Sequence, residues 1–346
     1  MKKKSGTLEN FKIVTKIIMQ YDKIFILVSI VSIIILGFIP PIIMLSSQEI
    51  INSLQMHKDL STICFYIGIY IFFEFFQTSF INLLSYYKNK FSLKFNLKIN
   101  EDILKKTSNL ELKHFESSET YDMISRAQNQ GDGRLLSFYE LPLDIISSSI
   151  TLLSYLTIIF IYNPIIVLFI IVSPIIKYVI NRLVGIEIFN QIRKWTNDNR
   201  KCSYIQYLLM NGNTYKELKL NNLFNYFIDK FSFYQRNFNH QNIKIQKKNI
   251  ILMSVVEFLE VIIDGFVFFI IVMDAYLGKI LIGNVLTYIN SITQIKHLMN
   301  TVLKSLSDMK KESLFISQLI EFLAIPEIDE KNMQSIESIK SIEIYN

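Results

Sequence analysis

Apolar positions along this chain are bunched into six windows, Ile24–Ser47, Leu60–Leu84, Leu141–Tyr162, Ile165–Leu183, Ile250–Met273 and Ile280–Leu298. Each is close to the about 20 residues of helix that cross a bilayer core, so the pattern predicts six membrane-spanning helices. In the sixth, Asn284, Asn290 and Gln294 interrupt the run. Past the second window the apolar period changes instead of ending. Phe91, Phe95, Ile99 and Ile103 recur every four residues, the stripe of an amphipathic helix laid on a neighbour. No Gly or Pro occurs from Ile69 to Gln130, so nothing local stops that helix, and Ser85 to Asn109 would carry it about 37 Å further. Between Gly185 and Gly212, and again between Gly212 and Gly265, breakers are absent. Two more long helices are therefore expected to leave the membrane and return, meeting near Leu208–Asn222. From Asn284 to Ile325 the last span should lead into another long helix, ended by Pro326.

The far end of the first long helix carries a polar-aromatic insert, Leu110–Gln128, LELKHFESSETYDMISRAQ. Asn109 and the Ser117-Ser118 pair supply the side-chain acceptors that favour a turn and a new helix start. Glu119 and Asp122 fall in the first turn and Arg126 near the end, the order a helix dipole prefers. The expectation is a short helix held crosswise at the tip of a stalk, showing Phe115, Tyr121 and Ile124 outward. Thr7–Tyr21 sets Leu8, Phe11, Val14, Ile17 and Ile18 against Lys12 and Lys16, which suits a helix along the inner membrane surface. Pro40-Pro41 predicts a kink or helix end in the first span, and Tyr162-Asn163-Pro164 a tight external turn between the third and fourth.

Composition supports the membrane assignment: 51% of residues are hydrophobic and the mean hydropathy is +0.31. Buried core helices would need a larger polar shell than this chain has. The net charge of +6 is uneven, with nine Lys or Arg in Ser85–Glu140 and eleven in Gly185–Asn249. Gln48–Asp59 and Asp274–Lys279 hold one each. Basic residues beside membrane ends stay inside, which puts both long loops and both termini in the cytoplasm. No basic stretch interleaves with a nucleic-acid-reading motif, so nucleic acid is not expected as a partner. Cys64 and Cys202 fall in different compartments and cannot pair. His57, His114, His240 and His297 show no ligand spacing, and no metal site is expected. Met1–Lys4 ahead of an apolar run is not a signal peptide, because the run is too long and lacks a small-residue cleavage site.

The Phe115-Glu116, Tyr121-Asp122 and Arg126-Ala127 pairs give the first insert an "FE…YD…RA" form. That form resembles the first coupling helix of ATP-binding cassette (ABC) exporters, most of all those of lantibiotic-type peptides. The second tip, with Lys216 and Leu220, resembles the second coupling helix. Gly278 and Gly283 match half of a phosphate loop, but Asn284 and Val285 stand where Lys and Ser or Thr are needed. The stretch is instead similar to the "G.lTiGdl" lead-in to the last exporter span, and no nucleotide site is assigned there. Ile316–Asp329 looks like the linker after the transmembrane domain, with Gln318 at the usual Arg, and Ser341–Asn346 alternates like the first strand of a nucleotide-binding domain (NBD). The resemblance implies an all-α membrane protein of the ABC exporter type, with six transmembrane helices and long cytoplasmic extensions. Its parts are an N-terminal interfacial helix over 1–23, the transmembrane domain over 24–325, and a linker with the start of an NBD over 326–346.

By the same resemblance the chain works as a homodimer or paired half-transporter in a bacterial cell membrane. Phe115, Glu116, Tyr121, Asp122 and Arg126 would couple the first tip to the NBD, and Gly212, Tyr215, Lys216 and Glu217 the second. No phosphate loop, signature sequence or switch His occurs in these residues. ATP and magnesium would thus be held by an NBD outside them, no catalytic residue is assigned, and enzymatic status stays open. A gene truncated early in that domain, a separate motor chain and an excised fragment all fit; the stop within the strand-like Ser341–Asn346 favours truncation, and without those motifs the chain is not expected to hydrolyse ATP alone.

Glu257, Glu260 and Asp264 share one face of the fifth span. Each charge near mid-bilayer costs about 2.5–3.5 kcal/mol, so three together imply a wet or protein-lined surface. One expectation is a cavity wall that attracts a cationic modified peptide. The other is protonated or paired acids, with Lys177 and Arg182 as partners. Glu74 in the second span is a further substrate-cavity candidate beside a packing role. Two alternatives to export stay open: a membrane remnant without transport, and a proton-coupled carrier using the fifth-span acids.

Overall fold

The computed structural model of the protein describes residues 6–111 and 133–326, apart from the side chains at 189, 192–194, 196 and 197. Among the described residues there are eight helices and no strand: α1 (Thr7–Tyr21), α2 (Lys23–Gln55), α3 (Leu60–Ser108), α4 (Arg134–Tyr162), α5 (Pro164–Met210), α6 (Gly212–Leu220), α7 (Phe224–Tyr276) and α8 (Ile282–Leu323). The all-α expectation holds. By length and apolarity alone, Lys23–Gln55, Leu60–Ser108, Arg134–Tyr162 and Pro164–Ile188 can cross a membrane. The fifth and sixth windows are more polar. In α7 Glu257, Glu260 and Asp264 lower the apolarity, and in α8 Lys296 joins Asn284, Asn290 and Gln294. The helices divide between two compact units, Met1–Ser46 with Cys64–Thr151 and Thr301–Asn346, and Ser47–Ile63 with Leu152–Asn300.

In the first unit the four-residue stripe of α3 is the core. Phe91, Phe95, Ile99 and Ile103 are buried with Leu135, Phe138 and Tyr139 of α4, and Ile316, Leu319 and Phe322 of α8. The apolar face of α1 joins them, with Val14 and Ile18 wholly buried. Asn10 donates to the Ser313 carbonyl at 3.0 Å and its hydroxyl at 2.9 Å, and Tyr21 hydrogen bonds Asp102. Burial, then that carboxylate, push the Tyr21 phenol above its ordinary range. The α1 positions facing away, such as Leu8, remain exposed.

Pro40 and Pro41 do not end α2, which continues to Gln55. A proline leaves the carbonyl four residues earlier without its helical donor. Gly37 is that carbonyl for Pro41, and the Thr151 hydroxyl of α4 donates to it at 2.9 Å. Gly37 also lets α4 come close: a Cβ there would sit 2.9 Å from the Ile150 methyl. At Pro41 a neighbouring helix supplies the donor that the proline lacks.

In the second unit α5 and α7 pair antiparallel. Lys177 meets Glu260, Glu187 meets Lys248 at 2.8 Å, Trp195 stacks on Phe238 at 4.0 Å and Lys201 lies 5.1 Å from the Tyr234 ring. The partner number falls steadily along α7 as it rises along α5, so the two helices stay in register over most of their length. Asn163 makes the predicted tight turn, its side chain accepting from the Ile165 amide at 2.9 Å and so capping α5 beside Pro164. At the same end of the pair, Asp274 accepts from Tyr162 and from Lys279, both at 2.9 Å. Hydrogen bonds from Lys279 and then Tyr162 hold its carboxyl below the usual carboxylate range.

Candidate functional site

Two places in the second unit carry residues with chemistry. The first is where α5 turns into α7. Asn211 closes α5 and accepts from the Asn213 amide at 3.0 Å, acting as N-cap of α6. Thr214 donates back to the Leu208 carbonyl at 2.6 Å. Asn222, in the left-handed region at φ 57°, turns the chain toward α7. These contacts hold α6 as a nine-residue crossbar at the end of the two long helices. About 29 residues of α5 separate Leu183, the end of its apolar window, from Gly212, a reach of about 43 Å. Leu218 anchors α6 inward, while Gly212, Tyr215, Lys216, Glu217 and Leu220 are exposed, Leu220 at 85%. Tyr215 leans on Phe224 with ring centres 5.6 Å apart. Every residue expected at the second coupling tip thus sits on one exposed crossbar. Nearby, burial pushes the Cys202 thiol up, which disfavours a reactive thiolate. The first insert, with Phe115, Glu116, Tyr121, Asp122 and Arg126, lies outside the described residues, as do the end of the linker and Ser341–Asn346.

The second place is within the apolar windows. Glu260 of α7 is held between Lys177 of α5 and Lys296 of α8, the latter at 3.1 Å. Lys296 also reaches Asp264, one turn along α7. Two cations and two anions lie together across three helices, which offsets part of the penalty for charges in the bilayer. The side chains of Lys296 and Glu260 are only 11% and 13% exposed, whereas Asp264 is 43% exposed. Glu257 is exposed on the same helix, and Glu74 is exposed on α3. Of the two partners expected from sequence, Lys177 is used, while Arg182 is exposed and forms no ion pair among the described residues. Lys296 was missed. Its signal was available, since no other Lys or Arg lies between Lys279 and Lys304.

The Gly278–Gly283 segment does not fit a nucleotide. Gly278 takes φ +74°, and a Cβ on Gly283 would lie 2.5 Å from the Gln48 carbonyl and 2.4 Å from the Asn52 side chain. That space is filled by α2, leaving no cradle for a phosphate. Asn52 instead donates to Asn284 at 2.8 Å, and the Ile282 amide donates to Gln55 at 2.7 Å. Gly283 is there for close helix approach. Among the described residues no group of three or more His, Cys, Asp or Glu could hold a metal.

Residues 26–299 match the family model of the ABC transporter transmembrane region. The chain is 31% identical to the subtilin transport ATP-binding protein SpaT of Bacillus subtilis, over 90% of its own length and 52% of that protein. It is 29% identical to the nisin transport ATP-binding protein NisT of Lactococcus lactis subsp. lactis, over 93% of its length and 53% of that protein. The chain therefore spans about half the length of the curated relatives it matches. Its long helices, the crossbar that joins two of them, and a match covering all six apolar windows but for the first two residues of the first agree: this is a multi-pass membrane protein that belongs to the ABC transporter transmembrane-region family.

Proposed function

We propose that the chain is the transmembrane half of an ATP-driven exporter of a lantibiotic-type antimicrobial peptide, working as a homodimer or paired half-transporter in a bacterial cell membrane. The observation that carries this is the alignment, along nine-tenths of the chain, with proteins named for transport of subtilin and nisin. Both termini and both tips lie on the cytoplasmic side, where basic loops are retained. An NBD holds ATP and magnesium, and its closure moves the crossbars. Phe115, Glu116, Tyr121, Asp122 and Arg126 transmit that motion at the first tip; Gly212, Tyr215, Lys216 and Glu217 do so on α6. Exposure of Tyr215 and Lys216 at the end of a rigid helix pair supports the second assignment.

The ion cluster refines how a cationic peptide would be met. Glu260 is fully engaged by two lysines, so it holds helices together. Glu257 and the half-exposed Asp264 are the acids open to cargo, with Glu74 as an outlying candidate. The test is peptide efflux from vesicles holding the chain with and without a related NBD. ATP-dependent efflux only with the NBD is expected, and Tyr215→Ala with Lys216→Ala should abolish it while the protein stays folded. Absence of efflux in both arms would identify a non-transporting remnant. Efflux that follows the proton gradient without ATP would point to a carrier.

A further inference from the structure

Beyond the exporter's own cargo, we infer that the α5–α7 pair carries a binding site for an anionic phospholipid at the membrane surface. A cavity of about 660 Å³ opens between the two helices, lined by Leu183, Ile186 and Glu187 of α5 and Lys244, Ile245 and Lys248 of α7. Its size is in the range of ligand sites, roughly 300–1,000 Å³. The α5 positions recur at helical spacing, as do those of α7, so two facing stripes form the walls. Leu183 is the last residue of the fourth apolar window, and Ile250 is the first of the fifth. Lys248 and Lys244 therefore lie about 3 and 9 Å beyond the apolar core along α7, which is headgroup depth.

The lining divides by chemistry. Leu183 and Ile186 are exposed apolar side chains, 62% and 50%, where the helix is already leaving the hydrocarbon. Lys248 is oriented by Glu187 at 2.8 Å. Lys244, four residues before it on the same stripe, forms no ion pair among the described residues. A free phosphate would meet the lysines but leave the apolar wall wet. A neutral lipid would cover that wall but leave Lys244 without a countercharge, since Lys248 and Glu187 already offset one another. An anionic phospholipid satisfies both, its phosphate between Lys244 and Lys248 and an acyl chain along Leu183 and Ile186. Basic residues beside an anionic leaflet are drawn to its surface charge.

The site rests on the exporter reading only for which leaflet it faces, so its test uses no transport. The full chain is placed in nanodiscs of phosphatidylcholine alone or with phosphatidylglycerol, and thermal unfolding is followed. Phosphatidylglycerol should raise the midpoint of the wild type by about 2–4 °C. The Lys244→Gln, Lys248→Gln double variant should lose at least half of that rise, and Lys230→Gln, far along α7, should keep it. Inorganic phosphate added to phosphatidylcholine discs should give none. Native mass spectrometry of the wild type should retain phosphatidylglycerol over phosphatidylcholine, whatever the variants' fold. The inference is overturned if the wild type shows no phosphatidylglycerol effect, if the double variant keeps it in full, or if free phosphate reproduces it. A second copy covering the groove would give the first of these results.

Discussion

Replacing Lys296 by Met keeps the length of the side chain and removes its charge. At 3.1 Å from Glu260 the gross attraction is about 5 kcal/mol at an effective dielectric of 20. Several kcal/mol of desolvation oppose it, and Lys177 remains beside Glu260 after the change. Removing one partner of a buried pair costs about 3–5 kcal/mol, because it strands the other charge. Asp264, at 43% exposure, is less enclosed than Glu260, so the low end of that range, about 3 kcal/mol, is expected. The informative form is a double-mutant cycle of Lys296→Met with Glu260→Gln, measured by reversible unfolding in mixed micelles. If the two charges act on one another, the double variant should lose about 1–3 kcal/mol less than the two singles together. Additivity within about 0.5 kcal/mol would show that the contact does no stabilising, and the three-helix tie would have to be abandoned.

Gly283→Ala brings a Cβ to 2.5 Å from the Gln48 carbonyl; overpacking of this kind should destabilise by about 1–3 kcal/mol, and midpoints equal to wild type would mean that α2 and α8 are not so close. Thr151→Val keeps the shape but withdraws the donor from the Gly37 carbonyl; a loss of about 1–3 kcal/mol is expected, and adding Pro41→Ala, which restores a helical donor, should recover part of it. Asp274 has a depressed carboxyl, so its stabilisation is present above the unfolded carboxylate value, about 3.9, and disappears as pH falls through the lower folded value. The midpoint of the wild type should therefore fall more than that of Asp274→Asn as the pH is taken from about 5 to about 3; parallel curves would remove Asp274 from the ion pair with Lys279.

Much of this protein follows from local pattern. The period-four run of Phe91, Phe95, Ile99 and Ile103 announces a buried helical stripe, and all four side chains are buried. The absence of Gly and Pro between Gly212 and Gly265 foretells a long helix there, and α7 runs from Phe224 through Gly265 to Tyr276; the break before it is made by Asn222 in the left-handed region, not by Gly or Pro. Asn211 and Asn163 cap the helices that their neighbours start, because an Asx cap needs only residues two or three positions away. Lys177 was nameable as a partner for the fifth-span acids because it is one of few charges in the apolar windows.

Packing decided the remainder. Thr151 serves Gly37 across 114 positions, and nothing near Pro40-Pro41 reveals that donor. Lys296 joins Glu260 and Asp264 only because α8 lies beside α7, and helical periodicity names a face without naming the helix opposite. Gly283 shares a spacing with phosphate loops, yet its surroundings are the carbonyl of Gln48 and the amide of Asn52. Spacing along a chain determines which groups share a helix face, and so which chemistry is on offer. Only the approach of other helices determines which of those groups are neutralised and which stay open.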